Sequence, residues 1–164
     1  MKIDRWMKTD LVTIPIETTL EDAITLLVEK KVGTLPVVAP DGKLLGLVTM
    51  KGILKSFLPD FYNLIEHIDY IQDFGALELP STERQSLMKK PITEIMNTDP
   101  HSISPDHSIL SAIGMMSRHH LNDLLVVKQG TLVGLVSTVD LGAAFLHWIK
   151  SNAGQCDADD ESCQ

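Results

Sequence analysis

The apolar and polar positions of this chain predict the same series of elements twice. In each half a short strand precedes an amphipathic helix, two apolar strands follow, and a second helix closes the series. The first helix carries apolar residues at i, i+3, i+4, i+7 and i+8, which is the spacing of one helix face. The fold class is therefore α+β, with a β-α-β-β-α order repeated. The strands are expected at residues 12–14, 35–38 and 44–49 and again at 101–103, 124–127 and 132–137, and the helices after Thr19, over 51–57, from Ile109 and over 139–149.

The two halves also align residue by residue. Residues 6–57 lie over 95–145 with one deletion near Pro40. A repeat of this length is a duplicated supersecondary unit, so we expect a pseudo-two-fold axis and a shared cleft. Identical pairs include Met7/Met96, Thr9/Thr98, Asp10/Asp99, Ala23/Ala112, Val37/Val126, Gly46/Gly134 and Phe57/Phe145.

The repeats divide the chain into four expected segments. These are repeat one at 1–57, a helical insert at 58–94, repeat two at 95–150 and a disordered acidic tail at 151–164. Within the insert, Phe61, Leu64, Ile65 and Ile68 predict an amphipathic helix over residues 60–72. Its apolar face is expected either to pack on this protein's own core or dimer interface, or to dock another protein.

Local signals fix several of the expected boundaries. Thr19 and Asp22 match a capping box at a helix start. Residues 40–42 read as a turn before the next strand. The strand over 44–49 is almost entirely apolar, which is typical of a strand buried on both faces.

The charge and composition exclude several classes of function. The formal net charge is −8, which argues against a nucleic acid polymer as partner because phosphate binding needs a basic surface. No apolar run is long enough to cross a membrane, and the first residues lack the apolar stretch of a signal peptide. Both cysteines, Cys156 and Cys163, lie in the tail, so no disulfide framework is expected. The cytoplasm is the expected location.

Catalysis and metal binding are not expected either. The chain has no GxxxxGK[ST] phosphate loop and no nucleophile in a glycine-flanked strand-to-helix turn. His119 and His120 are neighbours on a helix and point about 100° apart, which is poor geometry for chelation. The two histidines are expected to interact with the helix C-terminus, and a phosphate-binding or pH-sensing role is the alternative.

The segment from Gly134 to Asp140 carries the most specific signal. A strand is expected to end at Ser137 and a helix to begin directly after it, which presents backbone N–H groups to an anion. Asp140 then lies one turn into the helix, where its carboxylate can accept hydrogen bonds from ribose hydroxyls. The spacing Ser137-x-x-Asp140 also fits a simple helix cap, and both interpretations stay open on spacing alone.

Each repeat resembles a CBS domain. The residues that carry the resemblance are a hydrophobic strand followed by Gly-hydrophobic-hydrophobic-Thr/Ser-x-x-Asp. They stand at 35–38 with 46–52 and at 124–127 with 134–140. The resemblance implies a tandem pair that dimerises further and binds an adenosine compound (AMP, ADP, ATP or S-adenosylmethionine) between the repeats as a regulatory ligand, with no obligatory cofactor.

The resemblance also implies the ligand-binding residues. Ser137, Val139 and Asp140 would hold the ribose and phosphate, and Leu11, Val12, Val32 and Gly33 would frame the adenine. Two departures from the family pattern matter. Gly52 stands where repeat one should carry the ribose-binding Asp, so that site is expected to be weak or empty. Asp123 stands where many nucleotide-binding pairs have an Arg, which favours a ligand without phosphate or a cationic sulfonium, unless Lys51, His119 or His120 supplies positive charge.

Two hypotheses of function follow. The first is a sensor that binds an adenosine-type ligand and signals to a partner protein, with the predicted helix at 60–72 as a docking surface. The second is a dimerisation or protein-interaction scaffold with no physiological ligand, which Gly52 and Asp123 favour.

Overall fold

The computed structural model of the protein describes residues 1–56 and 81–152. The predicted insert helix at 60–72 and the tail cysteines lie outside the described residues. The helices are α1 (Leu20–Lys30), α2 (Met50–Ser56), α3 (Ser81–Met88), α4 (Ile109–His119) and α5 (Thr138–Asn152), with 3-10 turns at Ile3–Arg5 and Ile92–Glu94. The strands are β1 (Thr34–Val38), β2 (Leu44–Thr49), β3 (Ser102–Ile103), β4 (Asp123–Lys128) and β5 (Thr131–Ser137).

The chain forms two compact units that do not follow the sequence repeats strictly. One unit, the first-repeat unit, comprises Val12–Pro100. The other, the second-repeat unit, combines Met1–Leu11 with the residues from His101 onward. Each repeat is therefore completed by the short segment that precedes the other repeat in the chain. We call residues 1–11 and 91–100 the two lead segments.

The first-repeat unit is built on the antiparallel pair β1–β2. Leu35 lies opposite Val48, and a bulge falls between Val37 and Val38. The strand predicted at residues 12–14 is reduced to a single parallel bridge between Ile14 and Val37. Pro15 follows Ile14 directly, and a proline has no N–H to extend a ladder.

One expectation about β2 was wrong. Only Gly46 and Val48 of this strand are buried, and the other four residues are half-buried. The strand therefore has one face in the core and one face partly open, as is common for antiparallel sheets. The core beneath it consists of Ile14, Leu20, Ala23, Leu27, Leu35, Val37, Val48, Ile53 and Ile92.

The second-repeat unit contains a three-stranded sheet in the order β3-β4-β5. β3 is parallel to β4, and β4 is antiparallel to β5, with Asp123 opposite Ser137. The β4–β5 turn places Gln129 and Gly130 at positive φ, where glycine has no steric penalty. The core consists of Ile3, Ile103, Ile109, Ala112, Met116, Leu124, Val126, Val136, Leu141 and Ala144.

Side-chain caps form at the start of both central helices, and the one at Thr19 was predicted. The Asp22 backbone N–H donates to Thr19 Oγ1 over 3.2 Å, and the Thr19 hydroxyl donates to Asp22 Oδ2 over 2.7 Å, which confirms the capping box. Ser108 caps α4 in the same way through the Ser111 N–H, at 3.1 Å. These contacts satisfy backbone donors that a helix start leaves without an intrahelical partner.

The lead segments are fixed by backbone hydrogen bonds to the last strand of the repeat they join, β5 in one unit and β2 in the other. Lys8 exchanges two bonds with Leu135, at 2.8 and 2.9 Å, and Asn97 exchanges two with Leu47, both at 2.9 Å. Both segments also bury an isoleucine completely, Ile3 in one unit and Ile92 in the other. The lead segments are thus integral parts of the two cores.

Within the described part of the chain, no helix has the length and apolar character needed to cross a membrane.

Candidate functional site

The junction of β5 and α5 joins Ser137 and Asp140 by three hydrogen bonds. The Ser137 hydroxyl donates to Asp140 Oδ2 over 2.6 Å, and the Ser137 backbone N–H donates to the same oxygen over 2.9 Å. The Asp140 N–H in turn donates to Ser137 Oγ over 3.3 Å. This is a complete reciprocal cap, so the capping interpretation of the motif holds, and the carboxylate is fixed at the helix start.

The charge of Asp140 is stabilised at this position. Burial by itself raises the pKa of the carboxyl group, but the hydrogen bonds from Ser137 and the positive charge of Lys8 outweigh it. The pKa of Asp140 therefore lies below its ordinary value. A carboxylate that stays ionised is a hydrogen-bond acceptor at neutral pH and can receive ribose hydroxyl groups.

Lys8 reaches the junction from the first lead segment. Its Nζ lies 3.4 Å from Asp140 Oδ1, and its side chain remains 60% exposed, against 16% for Asp140. Sequence reasoning missed this contact, because Lys8 and Asp140 lie at opposite ends of the chain. The one available signal was the repeat, which aligns Lys8 with Asn97. In the other unit, Asn97 exchanges backbone hydrogen bonds with Leu47 of β2.

The predicted site residues fall into two groups. Ser137 and Asp140 are in direct contact, and the side chain of Val139 beside them is 76% exposed. Leu11 ends the lead segment of the second-repeat unit.

The other three predicted adenine-framing residues belong to the first-repeat unit. Val12 and Val32 pack on its core, and the Gly33 carbonyl accepts a bond from the Met50 N–H at 3.0 Å. Their part in framing a ligand stays a prediction.

The corresponding junction of the first repeat lacks the carboxylate. Thr49 Oγ1 accepts a hydrogen bond from the Gly52 N–H at 2.9 Å, so α2 is capped at its start. A Cβ on Gly52 would lie 3.0 Å from that Thr49 oxygen, a close contact. This junction keeps the helix cap, but it has no carboxylate that could accept hydrogen bonds from ribose hydroxyl groups.

Two histidines from different elements stack in the second-repeat unit. The rings of His101, which precedes β3, and His119, at the end of α4, have centroids 3.8 Å apart. Desolvation and then the charges of His101, Arg118 and His120 lower the pKa of His119. The next residue, His120, is the C-cap of α4, with a φ of 53°. No group of three or more metal-ligating side chains occurs among the residues that the structure describes.

The family of the chain follows from its sequence pattern. The pattern that defines the CBS domain matches residues 3–59 and again residues 92–146. The chain belongs to the CBS domain family. The two matches make it a tandem CBS pair of mixed helix and strand, as the repeat predicted.

A curated relative of this CBS pair covers most of its length. The CBS domain-containing protein YhcV of Bacillus subtilis (strain 168) is 28% identical over 135 residues, which span 82% of this chain and 79% of the relative.

Solved CBS structures share the fold. CBSX2 in complex with AMP superimposes with a TM-score of 0.68 at 23% identity, covering 90% of this chain and 97% of that one. The CBS domain pair of MJ0100, in complex with 5′-methylthioadenosine and S-adenosyl-L-methionine, gives 0.65 at 19% identity, covering 90% and 98%. At these identities the likeness establishes the fold.

Proposed function

We propose that this CBS pair is a regulatory ligand-sensing module that binds an adenosine-type ligand and transmits its presence to a partner protein. The observation that supports this most is the Ser137–Asp140 pair, an ionised carboxylate held at the start of α5. The two structural neighbours named above were solved with adenosine compounds bound, which agrees with the proposed ligand class.

The chemistry of the junction suits one end of such a ligand. Asp140 would accept hydrogen bonds from the ribose hydroxyls, and the backbone N–H groups at the start of α5 would favour an anionic substituent. Val139 would contact the ligand through its exposed side chain, and Leu11, Val12, Val32 and Gly33 are the residues proposed for the adenine. Every residue named here is proposed to bind the ligand, and none is proposed to take part in a chemical reaction.

Signalling requires a difference between two states of the protein. A ligand shifts an equilibrium only by its difference in affinity for the two states. In this proposal the ligand-bound arrangement of the CBS pair is the one that a separate effector protein recognises. The predicted helix at 60–72, outside the described residues, is the surface proposed for that effector.

A thermal-shift experiment tests the sensor. Purified protein is heated with AMP, ADP, ATP or S-adenosylmethionine, with and without Mg²⁺. A ligand at about a hundred times its dissociation constant adds about 2.7 kcal/mol of stability, which raises the midpoint by several degrees. The shift should vanish in Asp140→Ala and persist in Asp106→Ala, because Asp106 is an exposed carboxylate outside the junction. Stabilisation of wild type and Asp140→Ala to the same degree would reject Asp140 as the anchor.

The second candidate function is a homodimerising interaction scaffold, and a different observation favours it. Large apolar side chains of α4 and α5 are exposed in the second-repeat unit. We call this set the α4–α5 apolar face: Leu110, Ile113, Phe145, Leu146, Trp148 and Ile149. Large exposed apolar side chains that lie together mark interaction sites, and in this set Phe145 stacks on Trp148 with ring centroids 5.9 Å apart. We propose a second copy of the chain as the occupant of this face, and the sensor and the scaffold then differ only in whether a ligand binds.

A further inference from the structure

The two oxygens of the Asp140 carboxylate have different surroundings. Oδ2 accepts two hydrogen bonds from Ser137, at 2.6 and 2.9 Å. A carboxylate oxygen has about two acceptor positions, so Oδ2 is filled. Oδ1 is the oxygen that lies 3.4 Å from the Lys8 ammonium. A ribose that binds Asp140 must therefore bind Oδ1, where Lys8 now lies.

The Lys8 ammonium can leave Oδ1 at little cost. Its 3.4 Å separation exceeds the roughly 2.7–2.9 Å of a strong charge-assisted hydrogen bond. The lysine side chain is 60% exposed, and exposed ion pairs contribute little because water screens them. The backbone of Lys8, in contrast, is fixed by its two bonds to Leu135. The ammonium thus stays within reach of the junction after it leaves the carboxylate.

We propose that Lys8 determines the charge class of the ligand. Lys8 occupies Asp140 Oδ1 in the ligand-free protein. When ribose hydroxyls replace it there, its ammonium pairs with an anionic group on the same ligand. An adenosine 5′-phosphate supplies such a group directly on its 5′ carbon, and adenosine does not. S-adenosylmethionine has its sulfonium on that carbon and a net positive charge despite its carboxylate, so it repels the Lys8 ammonium. The order of affinity is AMP, then adenosine, then S-adenosylmethionine. This inference rests on the proposed function.

The charge at this edge of the sheet makes Lys8 decisive. Asp123 lies opposite Ser137 in the β4–β5 register, so a second carboxylate belongs to the same edge as Asp140. A carboxylate such as that of Asp140 repels a phosphate unless a cation lies beside it. Lys8 is the cation that the structure places on Asp140, whereas sequence reasoning looked to Lys51, His119 and His120. The sequence, through Asp123, favoured a ligand without phosphate. With Lys8 at the junction, we propose an anionic ligand instead.

Isothermal titration calorimetry with AMP, adenosine and S-adenosylmethionine tests the role of Lys8. The test variant is Lys8→Met, which removes the ammonium and keeps an unbranched side chain of similar length. The control is Lys128→Met, which removes an exposed lysine at the end of β4 that is far from Asp123. Wild type and Lys128→Met should bind AMP about fivefold more tightly than adenosine. In Lys8→Met this ratio should fall to about one. The AMP preference of wild type should also shrink with added salt, and that of Lys8→Met should not.

The ratio of affinities separates this inference from the proposed function. A uniform loss of affinity through a folding defect in Lys8→Met would leave the ratio unchanged, so circular dichroism accompanies the titration. If folded Lys8→Met still prefers AMP over adenosine, the proposed role of Lys8 is wrong and the sensor function is unaffected. The same conclusion follows if wild type binds S-adenosylmethionine more tightly than AMP. Wild type that binds none of the three compounds overturns the sensor itself, and the role of Lys8 with it.

Discussion

Asp140 combines a structural and a proposed functional role at the scale of a single residue. Its Oδ2 closes the cap of α5 with Ser137, and its Oδ1 faces Lys8. The capping and ligand-binding interpretations of the motif are therefore compatible, because they use different oxygens. In the first repeat, where Gly52 replaces the acid, Thr49 keeps the cap alone. A cap needs only one acceptor oxygen, so the presence of an acid in the second repeat favours an additional task.

The lowered pKa of Asp140 predicts a pH-dependent stability. The ionised group contributes stability that is complete above the unfolded-state pKa of about 3.9 and is lost as the pH falls through the lower folded-state pKa. Asp140→Asn should reduce the free energy of unfolding by about 0.5–1 kcal/mol at pH 7. The deficit should shrink at pH 3, as measured by urea denaturation.

The matched control for this measurement is Asp106→Asn. Asp106 is 75% exposed and lies 3.9 Å from Lys2, so its replacement should change stability little at either pH. A deficit in Asp140→Asn that is equally large at pH 7 and pH 3 would mean that the charge of Asp140 contributes nothing and that only its shape matters.

At the scale of elements, the antiparallel bridge between each lead segment and the last strand of its unit explains a glycine that the two repeats share. Gly134 and Gly46 occupy equivalent positions in β5 and β2. A Cβ on Gly134 would lie 2.6 Å from Met7 Sδ and 3.0 Å from the Lys8 carbonyl oxygen. A Cβ on Gly46 would lie 2.9 Å from the Asn97 carbonyl oxygen. Glycine is required at both positions because the lead segment lies directly against the strand there.

Alanine at these glycines should destabilise the protein. Gly134→Ala and Gly46→Ala should each lower the free energy of unfolding by about 1–3 kcal/mol, because the lead segment must move away from the strand. Urea denaturation measures the effect. Gly114→Ala is the control, since nothing lies within 4 Å of its added Cβ, and alanine in a helix should add about 0.5–1 kcal/mol. Wild-type stability in Gly134→Ala would show that the lead segment is held only loosely.

At the scale of the whole molecule, charge limits how copies of the chain can associate. The formal net charge is −8, so identical chains repel unless the contact surface is nearly neutral. The α4–α5 apolar face consists of uncharged side chains. At the aligned positions of the first repeat, Glu21 stands in place of Leu110, whereas Ile24 and Phe57 stand in place of Ile113 and Phe145. The second-repeat unit is therefore the side on which we propose that two copies meet.

The α4–α5 apolar face has the chemistry of a contact between identical copies. Its six side chains are between 38% and 75% exposed, so each has apolar surface that a partner can cover. An isologous contact needs a surface that is complementary to itself. A neutral apolar face meets this condition without pairing like charges.

Sedimentation velocity of the full chain tests the dimer. Wild type should sediment as a dimer, and Ile149→Glu should raise the dissociation constant at least about tenfold, because a charge would be buried in the interface. Leu54→Glu is the control, because Leu54 is an exposed apolar residue on α2 of the other unit, and it should stay dimeric. A monomeric wild type, or a dimer that Ile149→Glu leaves intact, would refute this surface.

The sequence by itself determined what depends on local interactions. The duplicated β-α-β-β-α order, the capping box of Thr19 and Asp22, and the cap of Ser137 and Asp140 all involve residues within a few positions of each other. Their periodicity and spacing are visible in one dimension. Two expectations were wrong. The strand expected at residues 12–14 is reduced to one bridge, because Pro15 has no N–H to extend a ladder, and β2 has one face in the core rather than two.

Only the tertiary structure decided which distant segments meet. It assigned each lead segment to the repeat that the chain order does not suggest, and so brought Lys8 to Asp140 and Ile3 into the second core. It also stacked His101 on His119. Such pairings depend on which surfaces are buried together, and no local pattern encodes them, because the paired residues lie far apart in the chain. The sequence thus determines the parts of each CBS unit, and the packing of the lead segments determines the charge at its candidate site.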